Sequence, residues 1–339
     1  MYGHGGPEVL RFEEAPNPEP GPGEVLFKVQ AASLNHLDIL NRAGLPGRTS
    51  PPMPHILGND AAGEVAGVGP GVPSELVGQS AILNPGFGCG HCQHCLAGRE
   101  TLCPRYRVLG YELPGTHAEY VVAPAQNLVP LPPRLDYVGA GAIGLVFLTA
   151  WHMLVTVGGV GPGSTVLVLG AGSGVGSAGI QVAKLFGARV IATATSDEKG
   201  RKALELGADD AINSSRQNIH LEVRRLTQRQ GVDIVFEHVG QVTWPDSLRS
   251  LAPGGCLVTC GATTGPFGET DIRYIVSRQL QILGSYMGSR AELLAIMPHF
   301  ASGRLKPVVD KVFSLAEAAQ AHRYLEGRRQ FGKVVLALQ

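Results

Sequence analysis

Residues 165–187 read TVLVLGAGSGVGSAGIQVAKLFG and decide the fold of this chain. The apolar run 165–169 predicts a buried strand, a glycine-rich turn follows it directly, and a helix follows the turn. In such a unit, glycines let backbone N–H groups approach a pyrophosphate at the helix N-terminus. A tight strand-to-helix connection without a ligand is the alternative, but a second strand, RVIATA at 189–194, lies where a dinucleotide-binding unit needs one. The turn residues predicted to contact this cofactor are Gly172, Ser173, Gly174 and Val175.

The end of the second strand predicts which dinucleotide binds. In the usual fingerprint an acidic residue there bonds the ribose 2′-hydroxyl, but this chain has Ala194, followed by Thr195 and Ser196. Without the acid nothing repels a 2′-phosphate, and hydroxyls with the nearby cations Lys199 and Arg201 can bind one. The sequence therefore predicts NADP(H) in preference to NAD(H). A solvated helix face is the alternative interpretation of the two cations.

The remainder of the chain shows two different patterns of predicted secondary structure. From about Ser164 onward, strand-like runs alternate with helical stretches, which indicates βαβ units and a parallel sheet. Residues 9–130 are instead broken by Pro and Gly every few positions, with short β-rich runs between the breaks. That pattern predicts a mostly antiparallel β domain with long loops. The predicted fold class is α/β with an additional β-rich domain.

Composition excludes several classes of protein. The 28 basic and 28 acidic side chains balance to a formal charge of zero, which favours neither nucleic acid nor an anionic membrane as a partner. Hydrophobic residues make up 44% of the chain, enough for a sizeable core. The N-terminus shows no signal-peptide pattern. We therefore expect a cytoplasmic protein that acts on a small molecule.

One apolar stretch resembles a membrane span. Residues 137–183 contain no Asp, Glu, Lys or Arg, and 138–157 are long enough to cross a bilayer. The stretch also carries several glycines and His152, and the breaker GGVGPG at 158–163 precedes the strand-like run. A buried helix that leads into a buried parallel strand accounts for the same pattern. No membrane insertion is therefore predicted.

Four cysteines are clustered as Cys89-x2-Cys92-x2-Cys95-x7-Cys103. Four thiolates on one short loop can close a tetrahedron around zinc and leave no open position for a substrate. Such clustering indicates a metal in a reducing compartment more than disulfides. Reduced cysteines without metal are the alternative, and the interleaved His91 and His94 are possible substitute ligands.

These motifs together resemble the medium-chain dehydrogenase/reductase superfamily over essentially the whole chain. The resemblance is carried by GGPEVL (5–10), PNPEPGPGEVLFKVQ (16–30), ILGNDAAGEVAGVG (56–69), GTHAEYVVAP (115–124) and FGKVVL (331–336), besides the glycine turn. It implies a GroES-like catalytic domain built from both ends of the chain, a Rossmann domain, and hydride transfer with a nicotinamide cofactor in the cleft between them. The family usually opens with a strand before GGPEVL, whereas only MYGH precedes it here, so that strand is largely missing or translation begins upstream.

The resemblance predicts the domain boundaries. We expect a GroES-like domain at 1–129 with a structural zinc lobe at about 86–106, a Rossmann domain at 130–287, and a return to the catalytic domain at 288–339. One structural zinc is expected on the four cysteines. The family also implies a homodimer or homotetramer, and the strand LQILGSYM at 280–287 is a candidate for pairing across a two-fold axis.

The resemblance also identifies where a catalytic zinc would be held. The first ligand place is Asn35, the Gly-His-Glu motif reads Gly58-Asn59-Asp60, the third place is Leu145, and the proton-relay hydroxyl is replaced by Leu37. Zinc prefers thiolate and imidazole ligands, so amides and a lone carboxylate make a poor site. We therefore expect no catalytic zinc. An alternative metal site would use His36, His55 and Asp60.

Further positions are matched to cofactor contacts by the resemblance. His36 takes the place of a residue that often meets the pyrophosphate, and Thr149 matches a threonine beside the nicotinamide. Gly240 and Gly261 follow two parallel strands, where backbone approaches the nucleotide at the carboxyl edge of the sheet. Ordinary packing or turn geometry is the alternative for each of them.

Hydride donation from NADPH to an activated C=C bond or a quinone does not require a Lewis acid. This is therefore the reaction that we predict for the chain. Asn35 can donate an amide hydrogen bond to a developing enolate, and Asn35 and Asp60 are the candidate catalytic residues. A zinc-type alcohol dehydrogenase or carbonyl reductase with an atypical site is the second hypothesis. A catalytically weak NADP(H)-binding protein is the third.

Overall fold

The computed structural model describes residues 1–44 and 51–338. The chain forms two compact units, the first comprising Met1–Leu148 with Gly288–Gln339 and the second Thr149–Met287. Both ends of the chain therefore build the first unit. Residues 130–148 group with that unit, so its compact body extends past the boundary predicted at residue 129.

The first unit is built on a mixed β-sheet. With elements numbered in chain order, its strands are β1 Glu24–Ser33, β2 Asp60–Val68, β3 Ser80–Leu83, β4 Gly86–Phe87, β5 Arg107–Val108, β6 Tyr120–Pro124, β7 Leu128–Pro130, β14 Val309–Ser314 and β15 Lys333–Ala337. The order is β14-β15-β1-β2-β3-β7, with β6 also paired to β1 and β4 paired to β5. Along β1, Val25, Phe27 and Val29 are buried in alternation, as expected of a strand with one face on the core.

Helices also form in the segments of the first unit, and one of them, α4, begins there and ends at Trp151. They are α1 His36–Ala43, α2 Gln93–Leu96, α3 Tyr137–Ala140, α4 Gly144–Trp151, α10 Arg290–Ala301 and α11 Ala318–Glu326. Pairing of β15 beside β1 is antiparallel, with Ser33 opposite Val335. This pairing brings the C-terminal strand of the chain next to the strand that leads into α1.

The second unit is the predicted dinucleotide-binding fold. Its elements are β8 Thr165–Val168, α5 Gly174–Leu185, β9 Arg189–Ala194, α6 Asp197–Glu205, β10 Asp210–Asn213, α7 Ile219–Leu226, β11 Val232–Glu237, α8 Trp244–Ser250, β12 Leu251–Thr259, α9 Ile272–Arg278 and β13 Gln281–Gly284. The strands are parallel in the order β10-β9-β8-β11-β12-β13. Leu167, Ile191, Val235 and Leu257 lie in its core, because parallel strands are covered on both faces. The predicted α/β fold class is confirmed.

The long apolar stretch is helical and buried. It contains α3, α4 and a π-helical segment, His152–Val157, and both Phe147 and Leu148 are buried. In the part of the chain that the structure describes, no helix is both long and apolar enough to cross a membrane.

A buried ionisable pair joins α1 to α11. The Arg42 guanidinium donates to Nδ1 of His322 at 3.0 Å, and both side chains are almost fully buried. Because arginine only donates, this nitrogen accepts and the imidazole is neutral. Burial, together with the neighbouring His117 and Arg42, lowers the pKa of His322 to about 3.

This pKa predicts sensitivity to acid. Below pH 6.5 His322 binds a proton in the unfolded chain but not in the folded chain. As the pH decreases below 6.5, this difference therefore lowers the free energy of unfolding by about 1.4 kcal/mol per pH unit. His322→Gln keeps an acceptor for Arg42 but does not titrate. Between pH 7 and pH 5, its free energy of unfolding in urea should fall by about 2 kcal/mol less than that of the wild type. Equal losses in the two proteins would contradict the assignment.

Candidate functional site

The four clustered cysteines converge on one point. Their sulfur atoms all lie within 4.8 Å of one another, although Cys95 lies in α2 and the other three lie before and after that helix. Backbone N–H groups of Cys89 and Arg105 donate to the Cys103 sulfur at 3.4 and 3.3 Å, which stabilises a thiolate. Four sulfurs at this spacing match a closed tetrahedral zinc site, so the cluster could hold zinc.

The environments of these thiols differ. A hydrogen bond from the backbone of His91 is the main cause that lowers the pKa of Cys89 to about 5, whereas burial raises the pKa of Cys95 to about 12. A metal needs every ligand as a thiolate, so binding would release protons from the cluster. The His91 ring is exposed and contacts the Cys89 carbonyl at 2.8 Å, so it is oriented by the loop backbone.

The three places that the resemblance equates with catalytic zinc ligands do not present a ligand set. The Asn59 amide donates to the Leu109 carbonyl at 2.5 Å, and Leu145 offers an aliphatic side chain whose backbone N–H donates to Asp60. Asn35 is buried, and its amide nitrogen donates to Asp60 at 2.9 Å. Two amides and an aliphatic side chain at these places do not offer the thiolate or imidazole ligands that zinc prefers.

Asp60 is the centre of this buried network. One carboxylate oxygen accepts from the Leu145 N–H at 2.6 Å, and the other accepts from the Ser33 hydroxyl, the Asn35 amide and the Lys333 ammonium at 3.1, 2.9 and 3.1 Å. Lys333 at the start of β15 was not recognised from the sequence. A lysine that opens the apolar run KVVLAL was the available signal.

A catalytic zinc ion does not fit this donor set. Lys333 is only 4% exposed and Asp60 only 1%, so the carboxylate already has a buried cation. A divalent ion there would be repelled by the ammonium and would meet amide ligands that zinc disfavours. Among the residues described, the cysteine cluster is the one group of three or more Cys, His, Asp or Glu side chains that lie close enough together to hold a metal. The alternative metal site predicted from His36, His55 and Asp60 is not such a group.

Asp38 fixes the loops around Asn35. Its buried carboxylate accepts from the Asn35 N–H at 2.7 Å and from the Gly58 N–H at 2.8 Å. Burial raises the pKa of Asp38 above its usual range. Gly58 has φ +104°, and a Cβ there would lie 2.4 Å from the His117 ring, so the position requires glycine. His36, the predicted pyrophosphate contact, is the first residue of α1.

In the second unit, the glycine turn has the geometry of an anion site. Ser173 caps α5, and its hydroxyl accepts from the Gly176 N–H at 2.8 Å. The other N–H groups of the first helical turn, at Gly174 and Val175, lack intrahelical acceptors by position. A Cβ on Gly176 would lie 2.3 Å from the Gly170 carbonyl, so the close turn requires glycine. These residues fit a dinucleotide pyrophosphate.

Two residues at the end of β11 support this turn and its neighbour. His238 contacts the Leu169 carbonyl at 2.8 Å and the Ser173 hydroxyl at 3.4 Å, and burial lowers its pKa. The fully buried Glu237 carboxylate accepts from the Val239 and Gly240 N–H groups at 2.6 and 3.0 Å. Neither residue was predicted as part of the site, although EHVG lies at the end of a buried strand.

Of the remaining predicted cofactor residues, four follow strands of this sheet, whereas Lys199 lies in α6 and Thr149 in α4. Ala194 ends β9 and is buried, Thr195 is exposed, and the Ser196 hydroxyl caps α6 by accepting from the Lys199 N–H at 3.2 Å. A Cβ on Gly240 would lie 2.7 Å from the Cα of Ala262, so the loops after β11 and β12 that carry Gly240 and Gly261 are adjacent. Thr149, in α4, is buried.

Comparison with known proteins identifies two family domains. Residues 21–133 match the alcohol dehydrogenase GroES-like domain, and residues 174–302 match the zinc-binding dehydrogenase domain. The two matches together span more than half of the chain.

Individual relatives cover nearly the whole chain. A quinone oxidoreductase of Pseudomonas aeruginosa is 32% identical, over 98% of this chain and 97% of that protein. A crotonyl-CoA reductase of Streptomyces avermitilis is 31% identical, over 97% of this chain and 82% of that protein. A crystal structure described as an NAD-dependent alcohol dehydrogenase is 49% identical with a TM-score of 0.96, covering 100% of this chain and 98% of that one.

Proposed function

The chain belongs to the medium-chain dehydrogenase/reductase superfamily and is an oxidoreductase of that superfamily, and we propose that it reduces activated C=C bonds or quinones with NADPH and without catalytic zinc. The buried contact of Lys333, Asp60 and Asn35, at the place where zinc ligands would be, carries this proposal. Similar proteins named quinone oxidoreductase and crotonyl-CoA reductase support the reaction class.

Bound NADPH would supply a hydride to the carbon of the C=C bond that lies farther from the carbonyl group, the π bond would open to an enolate, and water would supply the proton that completes the reduction. Negative charge then develops on the carbonyl oxygen of the substrate, and a donor placed there in advance lowers the barrier. Asn35 is the donor that we assign, because one hydrogen of its amide nitrogen is directed to Asp60 and the other is left for a ligand. Asp60 orients Asn35 and already accepts from several groups, so we assign it no proton transfer.

Two bound groups complete the proposal. One structural zinc is held by Cys89, Cys92, Cys95 and Cys103. NADP(H) is favoured over NAD(H) because Ala194 replaces the acid that would repel a 2′-phosphate. Reduced cysteines as metal ligands are typical of a reducing compartment, which supports a cytoplasmic location.

A comparison of two assays tests the reaction. Reduction of an enone or a quinone by NADPH should be measurable, whereas oxidation of ethanol or benzyl alcohol with NAD(P)+ should be negligible, even with added zinc. A chelator too weak to strip the cysteine cluster should leave the reductase rate unchanged. Robust alcohol oxidation that disappears when zinc is removed would overturn the proposal in favour of a zinc-type alcohol dehydrogenase.

Homodimer formation through β13 is part of the proposal. This strand is at the edge of its sheet, and Ile282 and, just beyond the strand, Tyr286 are 38% and 42% exposed. An exposed strand edge can pair with the same strand of a second copy across a two-fold axis. Sedimentation should give a dimer, or a tetramer made of such dimers, and a monomer at micromolar concentration would contradict this.

A further inference from the structure

The orientation of the Asn35 amide follows from its two neighbours. A lysine ammonium only donates hydrogen bonds and a carboxylate only accepts them. Lys333 lies 2.5 Å from Oδ1 of Asn35, and Asp60 lies 2.9 Å from Nδ2. The reversed amide would set its NH2 group against the ammonium and its oxygen against the carboxylate. The observed orientation is therefore the one that both charges favour.

Lys333 has no hydrogen left for a ligand. Its ammonium donates to the Leu34 carbonyl at 2.9 Å, to Asn35 at 2.5 Å and to Asp60 at 3.1 Å. An ammonium carries three hydrogens, so these acceptors use all of them. With the side chain 4% exposed, any effect of Lys333 on a substrate has to pass through another group.

Asn35, in contrast, keeps one donor. Its amide nitrogen carries two hydrogens, and Asp60 is the acceptor found for that nitrogen among the residues described. Asp60 is itself held by the Ser33 hydroxyl and the Leu145 N–H. Both neighbours of the amide are thus immobilised, and the direction of the remaining N–H is set.

We infer that Lys333 is a positioning residue, whose buried ammonium, paired with Asp60, holds the Asn35 amide with one N–H directed to the substrate carbonyl oxygen. This inference rests on the proposed function. Lys333 therefore acts on the substrate indirectly. It orients a neutral donor, Asn35, and does not itself bind the substrate oxygen. A freely rotating amide would present its oxygen to the developing negative charge part of the time, which would weaken the stabilisation.

A mutant cycle tests the inference. Lys333→Met alone leaves the Asp60 charge buried and unpaired and endangers folding, so the pair is replaced together by Lys333→Met with Asp60→Asn.

Asn35→Ala is expected to lower kcat for NADPH-dependent enone reduction about 100-fold, as for loss of an oxyanion donor. The paired replacement should lower kcat about tenfold with KM for NADPH unchanged, because the amide loses its fixed orientation. Added to Asn35→Ala, the pair should lower kcat less than about twofold further.

Two results would overturn the inference: an unchanged kcat in the paired variant, or a tenfold further loss in the Asn35→Ala background. Lys28→Met is the matched control, because Lys28 is an exposed lysine on β1 of the same sheet, and its kcat should equal that of the wild type.

A second measurement does not depend on activity. In protein labelled with ¹⁵N-asparagine, the signal that Asn35→Ala removes should show one side-chain hydrogen that exchanges much more slowly than the other. The paired replacement should abolish that difference, and an unaltered signal would overturn the inference. Wild-type protein that reduces no enone or quinone would defeat the proposed function alone, while this measurement still decides whether Lys333 orients Asn35.

Discussion

Replacing Cys103 by alanine is expected to lower the melting temperature by roughly 10 °C and to reduce bound zinc well below one ion per chain. Cys103 is the buried member of the cluster, and two backbone N–H groups donate to its sulfur. The loop that carries the cluster has little apolar core, so we expect its folded state to depend on a bound zinc. Differential scanning fluorimetry and elemental analysis measure the two effects.

Cys256→Ala is the matched control, because Cys256 is also buried but lies outside the cluster. It should keep the zinc content and most of the melting temperature. The chemistry with NADPH should persist in whatever Cys103→Ala protein remains folded. Two zinc ions per wild-type chain, or equal losses in the two variants, would refute the single structural site.

Lys199→Ala is expected to weaken NADPH binding about tenfold and NADH binding less than about twofold. Lys199 follows the Ser196 cap in the first turn of α6, next to the position where Ala194 replaces the expected acid. Loss of one charge-assisted contact to a 2′-phosphate affects the dinucleotide that carries this phosphate. Fluorescence titration with both dinucleotides gives the two dissociation constants.

Lys202→Ala on the same helix is the control, since Lys202 pairs with Glu198 at 3.0 Å. It should change neither dissociation constant appreciably. If the wild type binds NADH as tightly as NADPH, the interpretation of the loop after β9 is wrong. The similar protein described as NAD-dependent makes this titration informative.

Features that are local along the chain could be predicted. The strand, glycine turn and helix of 165–187 lie in one continuous segment, where steric limits on φ and a helix N-terminus act between near neighbours. The cysteine cluster is local too, because Cys89–Cys103 form one short loop whose spacing favours a tetrahedral metal. The prediction that Asn35, Asn59 and Leu145 stand at the places of catalytic zinc ligands needed only the family resemblance and the residue types at those places.

The cation of the candidate site could not be predicted in this way. Lys333 is 298 positions from Asn35 and 273 from Asp60, and it reaches both because β15 pairs with β1. Sequence alone suggested Asn35 as a donor, but the direction of its amide depends on neighbours from distant strands. Hydrogen bonds and charge pairs between distant segments arise only when burial and strand pairing bring them together. The residue types and the resemblance therefore predicted the absence of a catalytic zinc site, and only the pairing of β15 with β1 shows that Lys333 lies beside Asn35 and Asp60.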